Sequence, residues 1–110
     1  MTHTMSLYLK PLFKENSVLF KRSFESIDEM VEHTAFHIAE QAGLSETDSR
    51  VTYFTRRLFD PNVMGFLAAG SGLNIRSCFI FRDGDIGHFT IEFINGSQLR
   101  GYPSVEGAIA

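Results

Sequence analysis

The sequence predicts an α+β domain. A small antiparallel sheet, made of an N-terminal hairpin and a C-terminal three-stranded meander, carries one long amphipathic helix on one face and one or two short helices beside it. Three observations lead there. Apolar and polar residues alternate near both ends of the chain. An apolar stripe of helical period lies between them. Start and stop signals bracket that stripe.

Leu7 to Phe24 reads as two strands. Leu7, Leu9 and Phe13 alternate with Tyr8, Lys10 and Leu12, and Val18, Phe20 and Phe24 alternate with Leu19, Lys21 and Ser23. Glu15, Asn16 and Ser17 supply the turn. Pro11 has no N–H for the ladder, which predicts an edge position or a bulge for the first strand. Met1 to Thr4 is read as a polar lead-in. The expected organisation is one domain over residues 1–110, with 1–5 and 103–110 as flexible ends.

The best-defined element is a helix from Ile27 to Ala42. Ser26 and Glu29 have capping-box spacing. Ile27, Met30, Val31, Thr34, Ala35, Ile38, Ala39 and Ala42 form the stripe, and Gly43 with Leu44 suits a left-handed stop. From Arg50 to Phe59 the β-branched and aromatic residues favour a strand, whereas the shared face of Val51, Phe54 and Leu58 favours a helix starting near Thr47. The helix is the reading preferred. Asp60-Pro61 predicts a further short helix from Pro61 to Ala69, stopped by Gly70.

Hydrophobic matching sets the expected meander register. Arg82 opposite Ile86 puts Ile75 against Phe93, Ser77 against Ile91 and Phe79 against Phe89 on the packed side. The outer side then pairs Cys78 with Thr90 and Ile80 with His88. A loop from Asn95 to Ser97 pairs Phe93 with Leu99 and builds an outer row of Arg76, Glu92 and Arg100. Ile80, Ile86, Ile94 and Tyr102 join that outer face, large enough for the N-terminal hairpin or a second copy of the chain to cover.

Composition narrows the function classes. The 110 residues carry a formal charge of −3 and a pI near 5.7, which does not draw the whole molecule to nucleic acid or anionic lipid. A single cysteine, Cys78, excludes an internal disulfide and suggests the cytoplasm. No apolar run approaches the ~18–20 residues of a membrane span, and no secretory leader is expected.

Chemical motifs are weak. His33 and His37 stand four apart on the helix, but no HExxH pattern accompanies them, so no metal is expected. Asp83-Gly84-Asp85 reads as a hairpin turn rather than a calcium loop, and Ala68 to Gly72 follows a helix instead of opening one, the wrong order for a phosphate cradle. Gly87 to Phe93 places His88 and Thr90 where an RNA-recognition strand needs stacking aromatics. No cofactor is implied.

Charge layout is the sharpest signal. Seven carboxylates and no Lys or Arg lie between Glu25 and Asp48, whereas the remainder has ten basic residues against six acidic ones. Phe36 points away from the apolar stripe, ringed by Glu29, Glu32, His33 and Glu40. These five residues form the expected partner-binding site, an aromatic anchor with a charged rim. The function expected is a small non-enzymatic protein-binding module presenting its acidic helix to a partner with a basic surface. Inhibitors of the immunity or phage anti-defence style work this way.

Three alternatives stand beside it. One is a homodimeric structural or accessory protein paired through its outer sheet face. Another is a small ligand-binder or enzyme using Cys78 and His88, with Arg76, Arg82 and Arg100 around an anion. The last is nucleic-acid binding through Arg50, Arg56, Arg57, Tyr53 and Phe54, which the acidic helix opposes.

Overall fold

A computed structural model describes residues 2–67, 72–83 and 86–106, with side chains omitted at Thr2, Ile86, Val105 and Glu106. The chain runs β1 (Thr2–Lys10), β2 (Ser17–Phe24), α1 (Ile27–Ala42), α2 (Ser49–Leu58), β3 (Gly65–Phe66), β4 (Ile75–Asp83), β5 (Ile86–Phe93) and β6 (Gln98–Glu106). One antiparallel sheet has the order β2-β1-β6-β5-β4-β3, and the two helices share one of its faces. The expected α+β class is therefore the observed one.

Local signals explain both helices. Ser26 Oγ accepts the Glu29 N–H at 3.2 Å at the start of α1. Gly43 takes φ +70° at its end, and the Leu44 N–H reaches Ala39 O at 2.9 Å, closing the left-handed cap. The stripe is buried from Met30 to Ala42, while Ile27 at its N-terminal end stays exposed. In α2, Asp48 is the cap and Val51, Phe54, Thr55 and Leu58 are buried. Two amides close the C-terminal end of α1, where no basic residue stands: Asn74 Nδ2 donates to Ala42 O at 2.8 Å and Asn95 Nδ2 to Gln41 O at 3.2 Å.

Several expectations are corrected. β1 is central rather than an edge, lying between β2 and β6, because Pro11 falls just past its last paired residue; the alternative expectation of a bulge is met in its pairing with β2, where the register shifts between Leu7 and Tyr8. β2 is the edge, and its exposed Lys21 and Arg22 discourage further strand addition. Thr2–Met5 and Pro103–Glu106, expected as loose ends, pair with one another across the centre of the sheet. Residues 107–110 lie outside the described residues.

Pro61 to Leu67 is not helical. Asp60 turns the chain by accepting the Asn62 N–H at 2.9 Å, Gly65 takes φ +89°, and Gly65–Phe66 then pairs with the open edge of β4. The free backbone groups of that edge offer partners that a helix of this length would leave unmade. The rest of the expected helix, Ala68 and Ala69 with Gly70, and all but Gly72 of the Ala68–Gly72 segment lie outside the described residues.

The meander register differs too. Ile75 does oppose Phe93, but a bulge at Arg76 shifts everything beyond it. Ser77 then faces Glu92, Cys78 faces Ile91, and Ile80 faces Phe89. Cys78 and Ile80 thus move to the core and Phe79 to the outer face. Asp83 pairs with Ile86, and the turn residues Gly84 and Asp85 lie outside the described residues.

Between β5 and β6 the loop is Ile94-Asn95-Gly96, with Gly96 at φ +87° and the Phe93 N–H bonded to Ser97 O. That turn sets Leu99 opposite Ile91 rather than Phe93, though still on the buried face. Arg76 does approach Glu92, at 3.5 Å, but Arg100 opposes Thr90 instead. Of the outer-face residues expected, Ile94 and Tyr102 are exposed, Ile80 is buried, and the Ile86 side chain is not among the described ones.

Candidate functional site

The helix layer presents one groove beside Phe36. Its volume is about 340 Å³, and it is lined by Glu32, His33 and Phe36 of α1 together with Glu46 and Thr47 of the loop before α2. Phe36 is 45% exposed, so its ring is open to solvent at this groove. Helical geometry explains its position: the buried stripe faces the sheet, so the opposite side of α1 meets solvent. Thr47 is held by Ser45, whose Oγ accepts the Thr47 N–H at 3.2 Å and lies 2.8 Å from its hydroxyl. That turn keeps Glu46 against the groove.

The five expected site residues separate into two groups. Glu32, His33 and Phe36 come together in the groove. Glu29 turns toward β2 and lies 3.7 Å from Arg22, which also sits over the Phe24 ring. Glu40 is exposed one turn beyond Phe36, outside the groove lining. Glu46 and Thr47 were missed because they reach the site through the chain reversal after Gly43, not through helical spacing. The acidic tally over the segment was the one signal that included Glu46.

Cations from other elements neutralise part of the acidic segment. Arg56 of α2 reaches Asp28 at 2.9 Å, and Arg50 reaches Asp48 at 2.7 Å. Glu32, Glu40 and Glu46 have no ion-pair partner among the described residues. The negative patch is therefore narrower than the sequence suggested, and it centres on the Phe36 groove.

The helix histidines are packing groups. His33 Nδ1 bonds to Glu29 O at 2.9 Å, and its ring tilts against Phe24. His37 lies between Phe20 and Phe36, at 5.7 and 5.2 Å between ring centres. Burial lowers its pKa, the carboxylate of Glu40 opposes that shift, and His33 adds to it. Its Nδ1 is buried without a partner. Among the described residues, no three His, Cys, Asp or Glu side chains gather as metal ligands.

The register overturns the pairing of Cys78 with His88. Cys78 faces the core, where burial pushes its thiol up to about 12, and His88 stands on the outer face among aromatic rings. The three arginines assigned to an anion diverge as well. Arg82 points inward and donates to the carbonyls of Leu58 and Val63, whereas Arg76 pairs with Glu92 and Arg100 bonds Gln98. On α2, Phe54 is buried and Arg50 and Arg56 pair with Asp48 and Asp28, while Arg57 lies 6.0 Å from the centre of the exposed Tyr53 ring.

No protein-family model, curated protein or solved structure matches the chain. No helix among the described residues is long and apolar enough to cross a membrane.

Proposed function

We propose that this chain is a non-enzymatic protein-binding module that docks a basic partner protein against the Phe36 groove. The observation that carries the reading is an aromatic ring 45% exposed beside two carboxylates, Glu32 and Glu46, that have no ion-pair partner among the described residues. A partner arginine can lay its guanidinium on the Phe36 ring while pairing with either carboxylate. Glu40 extends the negative field along the helix, which favours rapid association and sensitivity to salt. A partner whose basic surface normally receives phosphates would be blocked by these carboxylates, the inhibitory mode of immunity and phage anti-defence proteins. The lone buried cysteine suits a cytoplasmic setting.

Affinity capture from source cells, followed by calorimetry with the captured partner, tests this. Phe36→Ala and Glu32→Lys are each expected to weaken binding at least tenfold, about 1.4 kcal/mol, with circular dichroism unchanged. Recovery of the same partners at undiminished affinity by both variants rejects the reading.

A further inference from the structure

The face of the sheet opposite the helices carries a continuous band of aromatic rings. Phe66 of β3 meets Phe79 of β4 edge-on at 5.1 Å between ring centres. Phe81 stacks on His88 of β5 at 5.2 Å, and Phe79 approaches the same imidazole at 6.5 Å. His88 tilts against Tyr102 of β6 at 6.0 Å, and Tyr102 meets Tyr8 of β1 edge-on at 5.7 Å. Six rings from five strands thus touch in series. Phe66 is 82% exposed, Phe81 42% and Tyr102 45%. Soluble monomers rarely leave an apolar patch of this extent open to water.

We propose that this face is the interface between two copies of the chain. Its layout is that of an interface, with an aromatic centre and a polar rim formed by Lys10, Lys21, Asp83, Glu92 and Arg76. Its size is adequate. Five long strands at ~4.8 Å spacing and about seven residues of ~3.3 Å rise project roughly 550 Å² per copy before side-chain relief is added. Two such faces bury roughly 1,100 Å² together, which clears the ~1,000 Å² total expected of a specific interface.

Arg100 supplies a second, independent observation. It lies on this face beside Tyr8 and Tyr102 in a hollow of about 360 Å³, and its Nε is buried without an acceptor. The hollow has room for a carbonyl or carboxylate of the second copy beside the guanidinium, whose Nη2 donates to Gln98 Oε1 at 3.3 Å. Charge favours a second copy over a nucleic-acid strand. The four cations Lys10, Lys21, Arg76 and Arg100 stand against Asp83 and Glu92, with Arg76 engaged by Glu92, so an excess of two remains, well below the roughly six to ten phosphate contacts of a firm nucleic-acid site.

Sedimentation equilibrium at micromolar concentration tests the proposal. The wild-type chain is expected at twice its 12.4 kDa monomer mass. Tyr102→Glu, which buries a charge in the centre, is expected to sediment as a monomer with unchanged circular dichroism. Phe66→Ser changes a side chain that contributes little to the fold, and it is expected to weaken the dimer roughly tenfold, which decides the matter if Tyr102→Glu does not fold. Phe36→Ala is expected to leave the mass unchanged, separating this face from the helix groove. A monomeric wild type overturns the proposal. A dimer indifferent to both sheet variants also does. So does a monomer that binds a labelled single-stranded oligonucleotide through Tyr102.

Discussion

Phe89 lays its ring across Gly101 on the adjacent strand, so that any β-carbon at that glycine would overlap the aromatic ring. The pair sits near the middle of the sheet's buried face, with the Met5 side chain also against the glycine. A missing side chain on β6 makes room for a large one on β5. Gly101→Ala is therefore expected to cost ~1–3 kcal/mol and lower the melting temperature by roughly 5–15 °C. Adding Phe89→Leu should recover part of that loss. Thermal melts of the two single variants and the double variant measure the coupling, and strict additivity would show that the ring and the glycine do not interact.

His37 connects the core to the groove through its contacts with Phe20 and Phe36. Its pKa is lowered below the ordinary imidazole value of 6.5 by burial, so between its folded and unfolded values the unfolded chain binds the extra proton. The stabilisation is complete above the unfolded value and is lost as pH falls through the folded one. Denaturant midpoints from about pH 7.5 to about pH 5.5 should fall less steeply for His37→Gln than for wild type. Equal slopes would rule out this histidine as the source.

Asp48 behaves as a carboxylate held by Arg50. The guanidinium and the Arg50 N–H together bring its pKa down from 3.8 to about 2. Its contribution to α2 is fully present above the unfolded value and disappears as pH falls through about 2. Asp48→Asn keeps a capping side chain but loses the charge. Wild-type and variant melting temperatures are expected to differ at neutral pH and to converge in strong acid.

Cys78, with its thiol pushed up to about 12, should resist aromatic disulfide reagents in the folded protein and react fully after denaturation. Cys78→Ala is expected to cost about 1 kcal/mol and to leave partner binding unchanged. Rapid labelling of the native chain would contradict the register that places Cys78 opposite Ile91.

The candidate site shows how far a one-dimensional reading reaches. Helical spacing places Glu32, His33 and Phe36 on one solvent face, and they are found together. Glu46 joins them only because the chain turns back through Ser45 and Thr47. Glu29 is drawn away by Arg22, a residue on a strand that spacing along α1 does not reveal. The aromatic band of the outer face was likewise hidden, since the bulge at Arg76 decides which of Cys78 and Phe79 faces water.

By itself the sequence determined the α+β class and both ends of α1, while it left Arg50 to Phe59 open between helix and strand. Those choices are made within a few residues, by the capping side chain of Ser26, the left-handed freedom of Gly43 and a 3.6-residue period. Only the tertiary structure decided the centrality of β1, the strand at Gly65–Phe66, the meander register, the helical state of α2 and the pairing of three of the seven carboxylates between Glu25 and Asp48. Most of these turn on the choice among partners distant in sequence. A backbone edge takes whichever segment satisfies its hydrogen bonds, and a single inserted residue exchanges the two faces of a strand.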